Sequence, residues 1–374
     1  MKRNFLLTAL VGVALTGCVN EEVAPEANQK EVLTFSAPVI ATQSRANVLG
    51  EITGVKYPQG ESFRVFCKIY QNKYAGVWET AENYFPTKGE VASHEGGTYW
   101  STSTVYYWPD AGYNLAFAAI SPAELGTAAS STTITRTNAG IQITGFVSES
   151  NSDDQYDLMY SHTYYDRNKA NNAGQAVPLK FEHALSSIVF SSQKSDAAAD
   201  YKITNLKVTG TFYTKGDFSQ GISGSLEEDV YTETENPTWN LGEGVGFTSE
   251  VEYKPTFTAF NVPVASPEIF TQGTSAILAI PQRVPQDAKV HVTYEKTTNK
   301  GLTTETTTTH TAEIFLKDFK KATAEGMTVA EGIDEWERGK RYVYRIAFGK
   351  NERIYFEPTI TEWVQESTLI YTIK

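Results

Sequence analysis

Cys18 and Arg45 are the residues whose type and position point most directly to chemistry, in both cases chemistry done to the protein rather than by it. Lys2 and Arg3 form a charged start. The apolar run "NFLLTALVGVAL" follows, about a dozen residues long, which is signal-peptide length and too short to span a bilayer. It ends in "LTGC", with small residues directly before Cys18, and this resembles the bacterial lipobox. There the thiol receives a diacylglycerol and the cysteine becomes the first mature residue. Residues 1–17 are therefore expected to be a lipoprotein signal peptide; an ordinary secretory signal with a chance cysteine is the alternative. Lipidation at Cys18 with two acyl-type chains gives stable membrane anchoring where one chain does not. The polar, acidic "VNEEVAPEANQK" reads as a tether, and Glu21 and Glu22 resemble the export signal of surface lipoproteins in some Gram-negative anaerobes.

Enzymatic chemistry finds little footing. The G-x-S-x-G elbow, H-E-x-x-H and the Walker loop are all absent. The 5 histidines have no zinc-like spacing, and His183 in "FEHALSS" reads as structural. Asp153, Asp154 and Asp157 in "NSDDQYD" lack the glycine and closing glutamate of a calcium loop. With 44 acidic residues, carboxylate pairs for glycoside hydrolysis can be drawn anywhere and none stands out. The aromatic run "VYYWPDAGY" has the residues to stack sugars, although cross-strand packing is the simpler use. Cys67 shares a strand face with Phe63, Val65 and Ile69 and reads as a small core residue. With Cys18 lipidated, no internal disulfide can form. We expect no enzyme, no cofactor and no metal.

The elements that must position any site are strands. A chain of 374 residues has room for two domains, and its aromatic content of 12%, with 21 Tyr and 19 Phe, favours an all-β architecture. Many short strand candidates separated by polar or glycine-rich turns indicate β-sandwiches. "YEKTTNKGLTTETTTTHT" reads as a hairpin turning at Asn299, Lys300 and Gly301. One helix candidate, "TVAEGIDEWERGKR" over residues 328–341, is interrupted by Gly332. A loop at residues 168–176 precedes a domain change placed near His183. No repeat of 20–50 residues suggests a propeller or solenoid. The net charge of −12, or −14 once Lys2 and Arg3 leave with the signal, repels nucleic acid.

The stretch at residues 31–47, "EVLTFSAPVIATQSRAN", combines both themes. Leu33, Phe35, Ala37 and Val39 alternate onto one face, enough to fill a hydrophobic groove. The strand then gives way to a lone Arg45 among small polar residues, a good site for proteolysis before Ala46.

Taken in order, the lipobox, "LTFSAPVIATQSRA", "VYYWPDAGYNLAFAAISP", "YDLMYS", "LKFEHALSSIVF", "WERGKRYVYRIAF" and "ITEW" resemble the fimbrillin family, the pilins and pilin-like lipoproteins of type V pili. The resemblance covers nearly the whole chain. It implies two tandem transthyretin-like β-sandwich domains, here 46–183 and 184–374, preceded by a lipidated propeptide at 18–45 that contains the removable strand. It further implies a subunit carried to the outer membrane as a surface-exposed lipoprotein, cut after Arg45 by an arginine-specific protease, and polymerised by donor-strand exchange into a fimbria serving cell adhesion and biofilm formation. The partners implied are the outer-membrane lipid, the protease and other pilin subunits, with a host or bacterial surface receptor beyond them.

A vacated groove loses apolar burial and exposes an unpaired ladder, and a strand from another subunit repairs both. Such heterologous contacts do not close, so they make fibres. Leu369, Tyr371 and Ile373 on one face of residues 364–374 form a donor-strand candidate; closing the second domain is their other use. The competing functional reading is a monomeric surface lipoprotein that binds glycans through its aromatic residues.

Overall fold

The strand "YNLAFAAIS" is apolar at nearly every position, the pattern of a strand with no solvent-facing side. In the computed structural model, Tyr113–Ser121 is buried on both faces from Leu115 onward. Leu115, Phe117 and Ala119 point into one core, while Ala116, Ala118 and Ile120 point into another. The structure describes residues 31–37, 57–71, 78–125, 132–172, 175–195, 198–227, 230–242, 248–264, 266–321, 330–349 and 354–363. These are almost entirely strands, as the composition suggested. None of the described helices is long and apolar enough to cross a membrane.

Tyr113–Ser121 sits inside an eight-stranded sheet. It is flanked by Phe63–Gln71 and Met159–Ser161, with Glu90–Ser93 and Ser101–Thr102 on one side and Phe181–His183 on the other. One face of this sheet is covered by residues 31–37 and by the aromatic side chains around them. The opposite face packs on a four-stranded sheet in which Gly140–Val147 pairs with Lys215–Ser219. That sheet therefore draws strands from both sides of position 183.

The second half forms another pair of sheets. Ser186–Lys194 runs parallel to Lys340–Phe348, and their sheet packs on one built around Ala199–Tyr213 and Lys289–Thr298. Ser186–Lys194 is also buried on both faces, giving Ile188 and Phe190 to this core and Val189 to the shared one. Ala199–Tyr213 changes parity along its length. Tyr201 and Ile203 face the core, and so do Leu206, Val208 and Phe212. A register shift between Ile203 and Asn205 inserts one residue and turns the even positions inward.

Lys289–Thr298 and Thr306–Phe315 form the hairpin read from the sequence, with Asn299 (φ 53°) and Gly301 (φ 77°) taking left-handed conformations at its turn. The helix candidate over 328–341 is not a helix in its described part. Ala330–Gly332 and Glu335–Trp336 are short strands. Ile333 and Trp336, three apart, imitate one helical face, but each is drawn separately into the core. Trp336 stacks on Phe212 at 5.4 Å, donates from Nε1 to the Tyr344 hydroxyl at 3.0 Å, and pairs in a ladder with Gln282. Tertiary packing outweighs a weak helical pattern already broken by Gly332.

Candidate functional site

Residues 31–37 run as an extended segment between two neighbours, held by backbone on both edges. On one side Leu33 N donates to the Tyr106 carbonyl at 2.8 Å, Phe35 N to the Trp100 carbonyl at 2.9 Å, and Trp100 N returns a bond to Phe35 at 2.9 Å. This edge is antiparallel, bridging Val32 to Tyr107 and Phe35 to Trp100. On the other side Val177 N donates to the Thr34 carbonyl and Leu179 N to that of Ser36, both at 2.8 Å. That edge is parallel, with Phe35 opposite Val177 and Ser36 opposite Pro178. A segment bonded on both edges is an interior strand in all but its regularity.

The alternation read from the sequence decides which side chains enter. Leu33, Phe35 and Ala37 are 2%, 0% and 3% exposed, while Val32, just before them, is 43% exposed. Phe35 meets Phe117 edge-on at 5.8 Å and Phe85 at 6.4 Å. Beyond Ala37, whose carbonyl accepts from Tyr57 N at 3.0 Å, the pocket is lined by Tyr57, Phe63, Trp100 and Phe181. Tyr57 stacks on Phe181 at 5.4 Å and meets Phe63 edge-on at 5.3 Å. Its buried hydroxyl donates to the Ser62 carbonyl at 2.9 Å and lies 2.7 Å from Ser121 Oγ, and burial pushes its pKa far up. Trp100 Nε1 donates to the Glu61 carbonyl at 3.2 Å. The slot is thus graded: a branched aliphatic, a large aromatic and a small side chain at alternate positions.

Val39, Cys18, Arg45, Ala46, Leu369, Tyr371 and Ile373 lie outside the described residues. The aromatic run at 105–113 divides its labour. Trp108 is buried against Phe117 at 6.3 Å, and Tyr106 packs on Phe85 at 4.4 Å. Burial, then the hydrogen bond to Glu90, pushes the Tyr106 phenol up to about 12. Val105, Tyr107 and Tyr113 remain exposed. Cys67 is buried in the same core, where desolvation raises its thiol well above its ordinary value. Trp100, Val177 and Leu179 are walls of the slot that sequence reading did not single out. The period-2 apolar pattern of "VPLKF" was the local signal for Val177 and Leu179, and Trp100 had none.

Behind the slot lies a polar cluster at the junction of the two halves. His183 is buried, with Nδ1 2.9 Å from Asp157 Oδ1 and its ring stacked on Trp363 at 4.0 Å. Asp157, read as part of an acidic turn, is instead turned inward. His162 places Nε2 2.6 Å from Glu182 and Nδ1 3.0 Å from Glu235. The two carboxylates raise the imidazole to about 9, and the His162 hydrogen bond lowers Glu182 to about 2. Arg338 Nη1 donates to the Tyr160 hydroxyl at 2.8 Å and to the His183 carbonyl at 3.3 Å, and lies 3.4 Å from Glu182. Among the described residues no group of three or more His, Cys, Asp or Glu is arranged to hold a metal.

Comparison with known proteins gives a family and a fold. A family model described as Fimbrillin-like matches residues 61–363. The crystal structure of a fimbrial protein from Bacteroides vulgatus aligns with 88% of this chain and 99% of its own, at 18% identity and a TM-score of 0.54. That of a proposed cell adhesion protein from Bacteroides uniformis covers 89% of this chain and 99% of its own, at 10% identity and a TM-score of 0.48. No curated protein matches. The first of these structures shares the fold.

Proposed function

The chain belongs to the Fimbrillin-like family, and on that premise we propose that it is a pilin subunit of a surface fimbria serving cell adhesion and biofilm formation. It is a structural protein rather than an enzyme. In this reading the precursor is lipidated on Cys18 and held at the outer membrane. An arginine-specific protease cuts between Arg45 and Ala46, the strand bearing Leu33, Phe35, Ala37 and Val39 leaves, and a strand from another subunit takes its place. The units expected at 46–183 and 184–374 would be the two sandwiches only with Lys215–Ser219 and Thr238–Asn240 crossing from the second to the first, and residues 364–374, with Leu369, Tyr371 and Ile373 sharing one face of the sequence pattern, are the donor candidate.

The observation that carries the reading is the double-edged seat of residues 31–37. Removing them would open a slot with apolar pockets and unpaired backbone on both sides. Burial of Leu33 and Phe35 is worth about 1.5–3 kcal/mol each, so an empty slot strongly favours a substitute. Backbone pairing supplies affinity and the pockets supply register. Because one edge is antiparallel and the other parallel, a donor must run in the direction of the departed strand to satisfy both.

Limited trypsin treatment of the purified full chain tests this. A stable core beginning at Ala46 should appear first, followed by detergent-resistant multimers on a semi-denaturing gel. Arg45→Ala should stay full-length and monomeric. Multimers formed normally by uncut Arg45→Ala protein would overturn strand release as the trigger.

A further inference from the structure

A cavity of about 440 Å3 opens along the outer side of residues 31–37, lined in part by Ser36, Tyr99, Arg167, Asn172, Gln175 and Pro178. Its chemistry differs from that of the surrounding surface. The chain as a whole carries −12, yet among the described residues none that lines this cavity is acidic and the one charged group is Arg167. Arg167 pairs with Leu115 in the ladder with Tyr113–Ser121, after a register shift that follows Tyr164. Its guanidinium lies over the Tyr164 ring at 5.4 Å, and its Nε is buried without a hydrogen-bond partner. The two Nη atoms carry four further N–H donors, and these are what the guanidinium can offer a ligand oxygen.

The other walls fit the rest of a ligand. Tyr99 is 45% exposed and offers a ring face of the kind that stacks on the C–H surface of a sugar. Asn172 is buried, and its amide nitrogen is fixed by a bond to the Gln175 carbonyl, which leaves its side-chain oxygen to accept from a hydroxyl. The Gln175 amide and the Ser36 hydroxyl add adaptable donors and acceptors. A guanidinium for a carboxylate, an aromatic face for a pyranose ring and amides for hydroxyls converge in a volume within the usual range for small-molecule sites.

We propose that this cavity binds a carboxylate-bearing sugar, with Arg167 taking the carboxylate and Tyr99 the ring. The site belongs to the intact chain, in which Ser36 of the removable segment forms part of its wall. Two sources share this chemistry: uronic acids of polysaccharides and terminal sialic acids of glycoproteins.

Ligand-observed NMR titration of the full chain with glucuronate, N-acetylneuraminate, glucose and acetate distinguishes them. One of the two acidic sugars should bind with a Kd on the order of 1 mM, the range open to a monosaccharide-sized ligand. Glucose and acetate should each bind at least about 10-fold more weakly, since each lacks half of the recognition. Arg167→Gln should lower the affinity about 10-fold, and Tyr99→Ala about 5-fold. Tyr99 is half-exposed, so its variant keeps the test valid should Arg167→Gln fail to fold. Equal binding of all four probes, binding of none, or affinity unchanged in the variants would overturn the site.

Discussion

Residues 31–37 and the hairpin Lys289–Phe315 are opposite ways of being a strand. The first has only two residues of regular ladder, Phe35–Ser36, yet Phe35 is fully buried and both edges are bonded. The second has ten residues in each arm in unbroken register, yet Thr306–Thr309 are exposed and the outer arm is a sheet edge. The short segment depends on pockets that other parts of the chain build. The hairpin depends on its own local pairing and on β-branched threonines, with Thr297 and Thr307 hydroxyls meeting at 2.9 Å. Regularity and energetic weight are separable. An element meant to be exchanged belongs to the first kind, because its fit is carried by side chains that a substitute can copy.

The strongest way to break this contrast is to truncate one side chain in each region. Phe35→Ala should destabilise the full chain by about 3–5 kcal/mol, since the site is enclosed by rings that collapse poorly. Thr308→Ala in the hairpin should stay within about 0.5 kcal/mol. Urea unfolding followed by tryptophan fluorescence reads both. Equal effects would mean that residues 31–37 only decorate the core.

A second comparison uses two glycines with the same backbone angle. Gly89, beside the slot-bearing sheet, and Gly301, at the hairpin tip, both have φ +77°, so alanine meets the same left-handed strain at each. A Cβ on Gly89 would stand 2.7 Å from the Val65 carbonyl oxygen, whereas on Gly301 it would meet open space. Gly301→Ala should cost about 1 kcal/mol from strain alone. Gly89→Ala should cost at least about 1 kcal/mol more, because backbone must shift. Thermal melting of the two variants separates the terms, and equal losses would show that the Gly89 turn yields freely.

How much of this was legible follows from how far each feature reaches along the chain. The inward parity of Leu33, Phe35 and Ala37 is local, and the period-2 pattern revealed it. So was the hairpin, whose turn residues and threonines are contiguous. The walls of the slot were not legible, because Trp100, Tyr106 and Val177 come from distant segments and no local period names a partner. The parity change after Ile203 defeated simple alternation, since one inserted residue moves every later side chain to the other face. At 328–341 the spacing of Ile333 and Trp336 imitated a helix. Asp157 looked like surface acid until its pairing with His183 placed it inside. Cys18 and Arg45 rest on motif and position alone.

The smallest expected effect lies between the two regions, at the junction. His162 faces Glu182 and Glu235 through opposite ring nitrogens, hydrogen-bonded to the first and ion-paired with the second, and only the protonated ring serves both carboxylates. Arg338 and the Tyr160 hydroxyl complete the charged and titratable surroundings. In the folded protein the imidazole is raised from its ordinary 6.5 to about 9, so its contribution is full below pH 6.5 and fades as pH rises through 9. Glu182, lowered from 4.5 to about 2, contributes above pH 4.5 and loses that contribution as pH falls through 2. Between pH 4.5 and 6.5 both are intact. The His162 side chain is 36% exposed, so solvent screening keeps the gain below about 1 kcal/mol. The comparison to make is the difference in melting temperature between the wild-type chain and His162→Gln at pH 6 and at pH 10. That difference should be positive at pH 6 and shrink towards zero at pH 10. A constant difference would mean that His162 acts by packing, and that the join between the two halves, like the hairpin, stands without its charges.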